Sequence, residues 1–82
     1  MTIERDDSEN RNRYVDTGNI RVTFVEHSSW EESGHGIRIQ AYRDGETRAL
    51  HRGAELHLGS REDGYRLIAA IAELMAGVSD AP

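Results

Sequence analysis

Residues 54–78 read Ala54-Glu55-Leu56-His57-Leu58, then Gly59-Ser60, then REDGYRLIAAIAELMAGV, and the change of period between the two pieces decides the fold. Ala54, Leu56 and Leu58 alternate with Glu55 and His57, the two-residue period of a strand with one apolar face. Ser60 suits a helix N-cap, with Asp63 three positions on as a short form of the capping box, and Glu62 and Asp63 lie at the positive end of the helix dipole. Projected at about 100° per residue, Leu67, Ile68, Ile71, Leu74, Met75 and Val78 fall on one side, with Tyr65 and Ala72 widening it. Arg66 and Glu73 mark the other side. The helix is expected to run to about Ala76, with Gly77 as its stop.

Upstream, Ile20, Val22 and Phe24 alternate with Arg21, Thr23 and Val25, and Ile37, Ile39 and Ala41 repeat the pattern, so two more strands with one buried face are expected. Thr17-Gly18-Asn19 can turn back a short strand around Tyr14 and Val15. Asp44-Gly45 is the dipeptide preferred in a two-residue type I′ hairpin, where both turn positions need positive φ. Pairing Arg43 with Glu46 across it sets Tyr42 opposite Thr47, Ala41 opposite Arg48 and Ile39 opposite Leu50, and the apolar pair Ile39–Leu50 supports that register. Continued further, the same register would send Arg52 to the core, so Arg52-Gly53 is read as a bulge or bend. The fold expected is α+β: a three- to four-stranded antiparallel sheet with one C-terminal amphipathic helix packed on one face, in ββββα order. Residues 1–12, charged and amide-rich around the single large apolar residue Ile3, are expected to be disordered when alone. The domain then spans 13–78, and 79–82 form a frayed tail.

A chain of 82 residues is one domain, and domains this small bury little surface by themselves. Cysteine is absent, which removes disulfides, thiolate nucleophiles and cysteine-containing zinc sites. The basic residues are all arginine, so there is no lysine for Schiff-base or P-loop chemistry. The net charge of −5 repels a phosphate backbone and the arginines are scattered among carboxylates, so nucleic acid is not an expected partner. No apolar run approaches a membrane span and the N-terminus is polar. A soluble, cytoplasmic protein without membrane contact is expected. No G-x-S-x-G elbow, Walker loop or dinucleotide fingerprint occurs, and no cofactor is called for.

Two clusters carry the only candidate chemistry. In 27–36, His27 and His35 bracket a loop holding Trp30, Glu31 and Glu32, nitrogen and oxygen donors that suit a divalent metal if the flanking strands pair. The plainer reading has Trp30 plugging the edge of the core and the histidines in solvent. In 51–57, His51, Glu55 and His57 would share one face of an uninterrupted strand, as metal ligands or an acid–base pair, although a bend at Gly53 breaks that parity. An accessory role follows more naturally than an enzyme: a small interaction module that self-associates or docks on a larger protein, with Trp30, Tyr42, Tyr65, Ala69, Ala72 and Ala76 as contact residues. The alternative is a small-molecule or metal-binding protein, with or without catalysis, built on the histidines and glutamates.

Overall fold

The computed structural model describes residues 1–26, 35–43 and 49–78. Five strands, β1 (Glu4–Arg5), β2 (Arg13–Thr17), β3 (Ile20–Val25), β4 (His35–Ala41) and β5 (Ala54–Leu58), form one antiparallel sheet in chain order, followed by helix α1 (Arg61–Gly77). The α+β architecture matches the alternation of the sequence, and one strand is added to the three or four anticipated. That strand is β1, two residues long, paired through Glu4–Tyr14 and Arg5–Arg13.

What holds β1 in place is polar. Asp6 Oδ1 accepts from Ser8 N, Ser8 Oγ and Asn12 N, and Asp6 N donates to the Asn12 carbonyl. The turn from β1 to β2 is thus gathered around one carboxylate, with Arg11 at positive φ (50°). Local side-chain to backbone bonds of this kind order a segment that has little apolar surface to bury.

Residues directly opposite one another share a face of the sheet, so the pairings Val15–Val22, Val22–Ile39, Phe24–Ile37 and Ile37–Leu56 assemble the aliphatic residues on one side. Arg21, Thr23, Arg38 and Glu55 share the other. β2 and β3 join at a tight turn in which Gly18 takes φ 56°, and Asn19 ties that turn to the end of β4 by bonds in both directions with the Tyr42 backbone.

The expected register beyond β4 is corrected. Leu50 pairs with Tyr42, not with Ile39, and Ile39 pairs with Ala54; Glu46, Thr47 and Arg48 lie outside the described residues. Between these two pairs β4 has Gln40 and Ala41 where the facing segment has His51, Arg52 and Gly53. The one extra residue makes the bulge expected at Arg52-Gly53. The bulge adds one position between Leu50 and Ala54, whereas the shift at Leu50 itself lies on the turn side of it, where the expected Asp44-Gly45 turn is outside the described residues; Leu50 finds an apolar neighbour in Tyr42 as readily as in Ile39. A Cβ on Gly53 would lie 2.0 Å from the Ile39 carbonyl oxygen and 2.6 Å from Gln40 Cγ, so only glycine allows the backbones to approach this closely.

Helix α1 starts as anticipated. Ser60 is extended (φ −161°) and its side chain accepts from Asp63 N, while the Asp63 carboxylate accepts from Gly59 N. The backbone of α1 comes close to β5 and, among the described residues, to no other strand. The helix stands over the aliphatic side of the sheet at one edge and does not close onto it.

Two outcomes follow. Gly53→Ala should lower the chemical denaturation midpoint by the equivalent of about 2 kcal/mol or more, whereas Gly77→Ala, whose Cβ would meet nothing within 4 Å, should leave it unchanged or raise it. Burial pushes the Asp6 carboxyl up, but the hydrogen bonds from Ser8 and Asn12 and the charge of Arg38 outweigh this and hold it below its ordinary value. A carboxyl depressed on folding adds stability that is present above a pH of about 4 and is lost as pH falls through the folded value. Asp6→Asn should therefore flatten the acid limb of the stability curve, read as urea midpoints between about pH 5 and 3.

Candidate functional site

The two faces of the sheet are finished differently. On the polar side Arg21 donates to both carboxylate oxygens of Asp16, at 2.9 and 3.2 Å, and to the Tyr42 hydroxyl at 2.7 Å. That hydroxyl donates to Asp16 Oδ2 at 2.7 Å. The guanidinium lies 3.7 Å from the ring centroid of Tyr14, a cation–π contact, and its bonds to Asp16 bind its proton more tightly still. Arg38 and Glu55 form a second ion pair at 2.8 Å. Between these groups Thr23 is 1% exposed, and the only buried apolar residues among those described, Val25 and Tyr42, are on this side too.

The aliphatic side is open. Val15, Val22, Phe24, Ile37, Ile39 and Leu58 are half-buried, Ile20 and Leu56 are exposed, and no residue of α1 is buried. Sheet and helix form the walls of a cleft of about 660 Å3 reaching from Ile3 at the β1 edge to Leu67, Ile68 and Ile71 on α1. Arg13, His35 and Arg61 are among its polar groups. Arg13 is held by Glu26 and lies over Phe24, and the His35 ring stacks on Phe24 with centroids 5.3 Å apart.

The candidate ligands do not gather here. His27, Trp30, Glu31 and Glu32 lie outside the described residues. His35 is on the aliphatic side, whereas His57 faces Gly36 on the polar side, so these two imidazoles project from opposite surfaces of neighbouring strands. The bulge sets His51 apart: its N–H bonds to the Ala41 carbonyl, and its parity departs from that of Glu55 and His57. Glu55 is engaged by Arg38. Among the described residues no group of three histidine, aspartate or glutamate side chains could hold a metal ion.

Of the contact candidates, Tyr65 lines the cleft and is 56% exposed, and Ala69, Ala72 and Ala76 are exposed along α1. Tyr42 is 6% exposed and builds the polar face. The residues missed as surface are Val22, Phe24, Ile37, Ile68 and Ile71. Alternation in the strands and the helical period in α1 mark them as core, and only the position of α1 reveals that one chain leaves them uncovered.

The sequence matches no protein-family model and no curated protein, and the structure matches no solved structure. No helix among the described residues is long and apolar enough to cross a membrane.

Tyr42→Phe keeps the ring and removes a hydroxyl that both donates to Asp16 and accepts from Arg21. It should cost about 1–2 kcal/mol in a denaturation experiment, and Arg21→Lys should cost a similar amount because an ammonium cannot reproduce the paired bonds to Asp16 or the stacking on Tyr14.

Proposed function

We propose that this protein is a small interaction module that self-associates through its aliphatic sheet face and the apolar side of α1. The observation that carries the reading is an inversion of burial. The polar face of the sheet is closed by its own side chains, while the face holding Val22, Phe24, Ile37 and Ile39 lies open beneath a helix that also shows its apolar side to solvent. A contiguous apolar surface of this kind marks an association site in a stable protein, and hydrophobic burial is the main favourable term available to a domain this small.

A second reading has one observation in its favour. The cleft volume is within the roughly 300–1,000 Å3 of small-molecule sites, and Arg13, His35 and Arg61 could orient the polar end of an apolar ligand. The protein surface reading is preferred because the exposed apolar residues continue along α1 past the cleft, to Leu74, Met75 and Val78, farther than a small ligand reaches.

Sedimentation velocity at micromolar concentration should show a species heavier than the 9.2 kDa chain. Phe24→Glu, which sets a carboxylate in the middle of the open face, should shift it toward monomer, and Arg66→Glu, on the opposite side of α1, should not. A folded 9.2 kDa monomer throughout the concentration range would overturn the proposal.

A further inference from the structure

Resting on that reading, we infer that the occupant of the cleft is the helix of a second copy of this chain. It enters with Leu74, Met75 and Val78, so that two molecules exchange helix ends about a two-fold axis.

The first ground is the division of α1. As far as Ile71 it lines the cleft, with Gly64, Leu67, Ile68 and Ile71. The same apolar side continues past the cleft: Leu74, Met75 and Val78 are 62%, 65% and 57% exposed and are not among the residues that line it. An exposed apolar helix end and an apolar sheet without a cover are complementary parts, present once in every copy. A two-fold axis lets each part meet the other in the partner, which gives a self-complementary, closed interface.

The second ground is area. A folded monomer of this mass should expose about 4,900 Å2, and the chain exposes 6691 Å2. The aliphatic side contributes to that excess through Ile20, Leu56, Ile68 and Ile71, each at least 42% exposed. The radius of gyration, 14.3 Å, is also larger than the roughly 12 Å of a compact domain of this length.

The third ground is charge. The carbonyl end of a helix carries about half a negative charge, and the last turn of α1 holds no basic residue. Arg5, opposite the Glu26-paired Arg13 on the aliphatic side, lies at the rim of the face that the incoming helix end would occupy.

The absence of cysteine makes the test clean. Val22→Cys and Leu74→Cys chains, mixed and oxidised, should give a covalent dimer as the main product of the mixture and only a trace in either variant alone. The double variant should cross-link between chains. Cross-links within one chain would show α1 closing onto its own sheet and would overturn the exchange. The unmodified protein gives an independent readout: with methyl-labelled Met75 in one population and unlabelled chains in the other, intermolecular NOEs to the Phe24 ring are expected. A dimer by sedimentation that shows neither cross-link nor NOE would overturn the exchange and leave self-association standing. A monomer would overturn both.

Discussion

The bidentate pairing of Arg21 with Asp16, capped by the Tyr42 hydroxyl and stacked on Tyr14, sets the character of the whole molecule. An arginine on a sheet surface normally reaches into water and leaves its neighbours accessible. Here the guanidinium stacks on Tyr14 and is bonded by partners on β2 and beyond β4, and Thr23 beside it is sealed from solvent. Desolvating the group would be costly without those partners, and with them the face needs no layer of apolar side chains above it. A sheet sealed in this way has only its other side left to offer.

Much of the architecture is visible in the amino-acid order because alternation and helical periodicity report burial directly. β3, β4, β5 and α1 each carry one of these signatures, and the Ser60 cap is legible for the same reason. β1 is not, since Glu4 and Arg5 have no apolar pattern and owe their place to the Asp6 carboxylate and backbone pairing. The network on the polar face is equally hidden. Asp16 and Arg21 are five positions apart across a hairpin, and Tyr42 joins them from just beyond β4, so nothing in the linear order associates them.

The histidines show how strictly parity governs what a small sheet can assemble. His35 and His57 belong to neighbouring strands one pairing position apart, and that single step puts them on opposite sides. The Gly53 bulge separates His51 from Glu55 and His57 in the same manner. A donor set that looks dense along the chain is dispersed by the pleat, while Val22, Phe24 and Ile37, unremarkable individually, are brought together by it.

The rims of the sheet also bear on how copies can meet. A long, straight outer strand is a template for another strand, and repetition of that contact yields filaments without end. β1 offers two residues with an arginine among them, and the other border is bent by an inserted residue just ahead of β5. Growth by strand addition is blunted on both sides, so the contact proposed between copies is left to the aliphatic side and not to the borders of the sheet.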